Sequence, residues 1–135
     1  MASVFSKIIQ GHLKGHIIYQ DEVCFALLSI HPLHKGHVLL VPRDEVSDWL
    51  LLDLKTTNHL MSVGKSIGNL LKTTLTCKKI ALMIVGLEVD HVHIHLVPIE
   101  GQENLDWSLA KRATDEELQE VARILYEAGV DRLLK

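Results

Sequence analysis

Asp90-His91-Val92-His93-Ile94-His95-Leu96-Val97-Pro98 sets three histidines at i, i+2 and i+4, with a branched apolar residue between each pair. This alternation is that of a strand. Alternate side chains of a strand share a face and successive residues rise by about 3.3 Å, so the imidazoles form a row, each about 6–7 Å from the next. Val92, Ile94 and Leu96 turn to the opposite face, where they can join a core. Upstream, Ile30-His31-Pro32-Leu33-His34-Lys35-Gly36-His37-Val38-Leu39-Leu40-Val41-Pro42 brings a fourth histidine, His37, to the start of a second apolar strand, which Pro42 ends.

Around these two strands the chain reads as alternating elements. Ser3 can cap a short helix running to about Gln10, which Gly11 breaks. Ile17-Ile18-Tyr19 and Val23 to Leu28 read as a hairpin turning at Gln20-Asp21-Glu22. From Asp53, a plausible N-cap, the period changes: Leu60, Gly64, Ile67, Leu71 and Leu75 recur at three- to four-residue spacing, with Met61 and Gly68 alongside. This predicts a long helix whose glycines let a sheet come close. Ile80 to Val85 reads as a buried strand ending at Gly86. Thr114-Asp115-Glu116-Glu117 has the capping-box form, and Leu118, Val121, Ala122 and Leu125 predict a last helix before Gly129. Five strands with helices on one face give an α+β layer architecture.

The 135 residues suit one domain, with 47% hydrophobic and 23% charged side chains and no internal repeat. A net charge of -3 gives no basic surface for a nucleic acid polymer. No stretch is long enough to span a membrane, and the N-terminal residues lack the charged and apolar regions of a leader, so the chain reads as cytoplasmic. Cys24 and Cys77 stand alone and read as buried, reduced thiols.

Histidine chemistry narrows the function. An unperturbed imidazole has a pKa of about 6.5, so near neutral pH it is mostly a free base that can attack phosphorus directly. Neighbouring imidazoles on the same face can donate hydrogen bonds to the transition state and protons to a leaving group. Three alternating histidines taken alone would serve zinc almost as well. His12, His16, His31, His34 and His59 have no motif around them and read as surface or packing residues. Gly64-Lys65-Ser66 imitates the end of a phosphate loop, but His59 stands where the first glycine should be and the stretch is helical.

Three motifs in order, Phe5-Ser6-Lys7-Ile8-Ile9, Pro32 to Pro42 with its Gly36-His37, and the triad itself, resemble the histidine-triad family of nucleotide hydrolases and transferases. The likeness runs from about residue 5 to 98; residues 99–135 carry no motif and form a C-terminal extension with a helix. The resemblance implies an antiparallel five-stranded sheet continued across a homodimer, and a purine nucleotide or nucleotide conjugate as ligand. It implies His93 as the nucleophile taking a nucleotidyl group, His95 on the phosphate, and His91 and His37 orienting the cluster. Val4, Phe5, Ile8, Leu27, Ile30, Leu39 and Val89 would build the slot for base and sugar, with Ser29 on the ribose hydroxyls. No cofactor is implied, and no metal: where many members carry a zinc-binding Cys-x-x-Cys and a later histidine, this chain has Ser3, Ser6 and Glu45. Before the triad, where members have Gly-Gln-Ser/Thr, it has Gly86-Leu87-Glu88. Leu87 offers no hydrogen bond and Glu88 brings a negative charge beside the phosphate. The reading is a hydrolase of phosphoramidates or dinucleoside polyphosphates with an altered leaving-group side; its alternative is a nucleotide-binding sensor or adaptor with weak or no turnover.

Overall fold

The computed structural model describes residues 2–133. Strands β1 (Ile17–Gln20), β2 (Cys24–Leu28), β3 (Val38–Pro42), β4 (Lys79–Ile84) and β5 (Ile94–Ile99) form one antiparallel sheet in the order β1-β2-β3-β5-β4. Because side chains alternate, each central strand supplies two faces. Cys24, Ala26, Leu28, Val38, Leu40, Ile94 and Leu96 form one core with the long helix α2 (Leu54–Leu75) and the last helix α3 (Asp115–Glu127). Phe25, Leu27 and Val41 form a second core with Phe5 of the short helix α1 (Val4–Ile9). Helices therefore lie on both faces of the sheet, not on one. β2 is buried along its whole length, and Phe25 and Leu27 on its far side need a cover of their own.

The caps stand where the sequence puts them. Ser3 accepts the Ser6 N–H, Asp53 accepts the Thr56 N–H, and Thr114 and Glu117 close a reciprocal capping box. α2 buries Leu60, Val63, Gly64, Ile67, Gly68 and Leu71, whereas Met61 is 48% exposed. A methyl group on Gly64 or Gly68 would meet Leu40 at 3.5 Å or Ile80 at 3.7 Å, ordinary contact distances, so the helix–sheet spacing does not depend on glycine there. β4 is not the buried strand its composition suggests. It pairs only with β5, and Leu82 is 43% exposed along this edge. Cys24 is fully buried and Cys77 is half-buried; both are free. No helix among the described residues is long and apolar enough to cross a membrane.

The histidine stretch is only half a strand. β5 begins at Ile94, so His95 lies in the ladder while His91 and His93 sit in the segment leading into it. The cause lies in the neighbours. Pairing with β3 covers only Leu40↔Ile94 to Val38↔Leu96, and Pro42 has no N–H with which to extend it. On the other side pairing ends at Ile84↔Ile94, before Gly86 turns the chain away at φ +77°. The Val92 N–H bonds instead to the Val46 carbonyl at 2.8 Å.

Candidate active site

The register Leu39↔His95 places His95 on the α1 side of the sheet, between two positions that serve the helix-side core. His37 arrives beside it from the loop before β3. Gly36, with φ +88°, makes that turn, and any Cβ on it would run into Leu75 and Pro98. His91 and His93 come from the irregular segment before β5, which brings the His93 ring centroid to 5.0 Å from that of His95. All four histidines are buried.

Hydrogen bonds assign the proton on each ring. The Leu33 N–H donates to His37 Nδ1 at 3.0 Å, so the His37 proton is on Nε2, which donates to His95 Nδ1 at 3.0 Å. His95 must then carry its own proton on Nε2. His93 donates from Nδ1 to the His91 carbonyl at 2.8 Å, which leaves its Nε2 a bare lone pair. His91 donates from Nε2 to the Pro42 carbonyl at 2.7 Å and accepts from the Ser3 hydroxyl on Nδ1. The cluster thus contains one free nucleophilic nitrogen, on His93, and one outward N–H, on His95.

Electrostatics favour the neutral form of His37, His93 and His95. Burial, and then the neighbouring His95 and His93 rings, push the His37 pKa down to about 3. Burial and the His93 ring push His95 down to about 4. His93 is lowered as well, chiefly by burial, with the bond to the His91 carbonyl working in the opposite direction.

The other expected site residues fall around this cluster. Phe5, Ile8, Leu27, Leu39 and Val89 come together in the α1-side core, and the Phe5 ring lies 4.9 Å from that of His93. Val4 lines a neighbouring hollow with Ser3, Glu45, Ser47, Glu88, Val89 and Asp90. Ser29 is buried and accepts the His31 N–H, while Ile30 is 43% exposed and its carbonyl accepts the Ala113 N–H. Glu88 lies with Val85, Leu87, His93 and His95 around a cavity of about 240 Å³.

Two features escape any motif. Trp107, from the unmatched C-terminal segment, lines the same cavity and packs on two rings, 5.2 Å from His95 and 5.9 Å from His37. A lone tryptophan between polar residues was the only signal for it. Ser3, Ser6 and Glu45, which replace a metal-binding set, instead form a hydrogen-bonded clasp: Glu45 accepts the Ser3 N–H at 2.6 Å, and bonds from Ser6 and Ser3 hold its carboxyl below the usual range. The clasp ties the start of α1 to His91. Among the described residues, the imidazoles do not gather three nitrogens around one point, as a zinc site built on them would require; the one set of three donor atoms that lie together is a carboxylate oxygen of Asp21, the Cys24 sulfur and a His59 nitrogen, on the other face of the sheet.

With this geometry in view, three comparisons are informative. The HIT domain profile matches residues 10–102. An uncharacterized HIT-like protein of Methanocaldococcus jannaschii is 33% identical over 99 residues, covering 70% of this chain and 77% of that one. The bifunctional bis(5'-adenosyl)-triphosphatase/adenylylsulfatase FHIT of Arabidopsis thaliana is 29% identical, over 75% of this chain and 61% of its own. Among solved structures, a hypothetical histidine triad nucleotide-binding protein of Sulfolobus tokodaii superposes with a TM-score of 0.81 at 26% identity, covering 92% of this chain and 89% of that one.

Proposed function

This chain belongs to the histidine-triad (HIT) family, and we propose that it is a nucleotide-binding hydrolase or transferase that attacks the α-phosphate of a nucleoside monophosphate derivative, a phosphoramidate or a dinucleoside polyphosphate. The observation that carries the reading is the bare Nε2 of His93, created by donation of its Nδ1–H to the His91 carbonyl. In the first step this lone pair bonds to phosphorus as the bond to the leaving nitrogen or oxygen breaks, and the leaving group takes a proton from solvent through the cavity. The outward N–H of His95 donates to a phosphoryl oxygen whose charge grows in the transition state. Water then attacks phosphorus and gives up a proton to solvent through the cavity, the P–Nε2 bond breaks with its electron pair returning to Nε2, and the nucleoside monophosphate leaves with neutral His93 restored. His37 and His91 touch no substrate in this scheme. They hold His95 and His93 in the required tautomers.

The base would lie against Phe5, Ile8, Leu27, Leu39 and Val89, bordered by Val4 and Ile30, with Ser29 on the ribose. The leaving group would lie across the cavity against Trp107, Leu87 and Glu88. Steady-state turnover of an adenosine phosphoramidate and of a diadenosine polyphosphate, followed by product chromatography in wild type and His93→Ala, tests the assignment; equal turnover by both proteins would refute it.

One observation supports a second reading: Leu87 and Glu88 offer the leaving group no hydrogen-bond donor from their side chains. A nucleotide sensor would bind adenosine monophosphate in equilibrium dialysis and turn over neither substrate. We also propose that two copies pair through β4, whose open edge and exposed Leu82 adjoin Met61 of α2 in a single hollow. Light scattering should then give about twice the chain mass of 15.2 kDa, and a monomer would remove this assembly.

A further inference from the structure

We propose that Asp21, Cys24 and His59 form a site for one divalent cation of the zinc type, on the face of the sheet that α2 and α3 cover and separate from the imidazole cluster. The three side chains come from three elements. Asp21 is in the β1–β2 turn, Cys24 opens β2, and His59 projects from α2. Their donor atoms all lie within 4.8 Å of one another.

The hydrogen bonds there do not balance. Asp21 Oδ1 accepts the Val23 and Cys24 N–H groups, both at 2.8 Å. Oδ2 faces three more donors: the Tyr19 hydroxyl at 2.6 Å, His59 Nε2 at 2.7 Å and the Cys24 thiol at 3.7 Å. A carboxylate has about four lone-pair sites, two on each oxygen, so five donors compete for them and the thiol is left at long range. A cation removes the excess. Cys24 releases its thiol proton to solvent, His59 shifts its proton from Nε2 to Nδ1 and presents a bare Nε2, and Oδ2 then serves only the metal and Tyr19.

The distances are close to those required. With Zn–S of about 2.3 Å and Zn–N and Zn–O of about 2.0–2.2 Å, a tetrahedron has O···S edges of about 3.6 Å and O···N edges of about 3.3 Å. The O···S separation is already 3.7 Å, and the O···N separation of 2.7 Å must open by about 0.6 Å. The outer shell is also in place: two backbone N–H groups hold Oδ1, the Tyr19 hydroxyl holds Oδ2, and the Arg43 guanidinium donates to the Asp21 backbone carbonyl, not to its carboxylate. His59 lines a cavity of about 650 Å³ whose charged walls are Glu22, Asp44 and Asp53 against Arg43 and Lys55. That opening meets the proposed site at His59, the side from which a water would complete the coordination. A thiolate, an imidazole and a carboxylate select a borderline-soft ion such as zinc over magnesium or calcium. Bound there, the ion ties the β1–β2 hairpin to α2.

Cobalt titration of the metal-stripped full chain tests the site, because a thiolate ligand gives cobalt a near-ultraviolet charge-transfer band that the imidazole cluster cannot produce. One equivalent should bind with that band, zinc should displace it, and zinc should raise the melting temperature. Cys24→Ser should abolish the band, and His59→Ala should weaken binding by more than about tenfold. Cys77→Ser and His93→Ala should leave it unchanged. Absence of the band in wild type, its survival in Cys24→Ser, or its loss in Cys77→Ser would overturn the site. Should Cys24→Ser fail to fold, His59→Ala decides, since that ring is partly exposed and replaceable; unaltered cobalt affinity in it would be equally fatal.

Discussion

The two walls of the cavity beside His93 are built in opposite ways. On one side, His37, His93 and His95 are buried; the Leu33 N–H fixes the proton of His37, His37 fixes that of His95, and the His91 carbonyl fixes that of His93. On the other, the segment from Val85 to Glu88 turns through solvent, with Leu87 90% exposed. The first wall is preorganised and leaves little room for substitution. The second can change residue without disturbing the sheet, so the proposed reaction would draw its reactivity and its leaving-group preference from separate parts of the chain.

Substitutions on the two walls should differ accordingly. The largest effect is expected from His93→Ala, which should lower kcat/KM by more than about a thousandfold, the scale seen when a covalent nucleophile is removed. His37→Ala should lower kcat by about a hundredfold or more with little change in KM, because His95 loses the bond that keeps its proton on Nε2. A change confined to KM would show that His37 contacts substrate instead.

Acid should act on the first wall only. All three rings have pKa values below their ordinary value, so kcat/KM should begin to fall only at a pH below the ordinary imidazole midpoint of about 6.5. An acid limb near or above pH 7 would contradict this. Stability follows the same sign. Between about pH 6.5 and 4 the unfolded chain binds protons at His37 and His95 that the folded chain refuses, so urea unfolding should show stability falling through that window as pH drops.

The exposed wall should respond more mildly. Trp107→Ala should cost about tenfold in kcat/KM with an aromatic leaving group and less with a small one, since only the former stacks on the indole. Glu88→Ser should lower KM for an anionic polyphosphate leaving group by a few-fold and leave an uncharged one nearly unchanged, the size expected for an exposed charge. An unchanged or higher KM would place the Glu88 carboxylate away from the leaving group.

The same contrast governs what the sequence discloses. β2, β3, α2 and α3 are legible because period, caps and turn residues all lie within a few positions of one another. The row of histidines is legible as a cluster but not as a shape: its departure from the strand depends on Pro42, 49 residues away, whose ring withholds an N–H and whose carbonyl takes the His91 proton. β4 reads as buried because its composition is apolar, while its exposure depends on having one neighbour. Trp107 reaches His95 through the fold of a segment that carries no motif, and the Ser3–Glu45–His91 clasp joins residues that no periodicity connects.

The most direct test of the account is whether the bare nitrogen of His93 takes up the nucleotidyl group. Intact-protein mass spectrometry during a single turnover of an adenosine phosphoramidate should show a transient adenylyl adduct that maps to His93 and is absent in His93→Ala. Turnover without an adduct, or an adduct on another residue or surviving in His93→Ala, would contradict it.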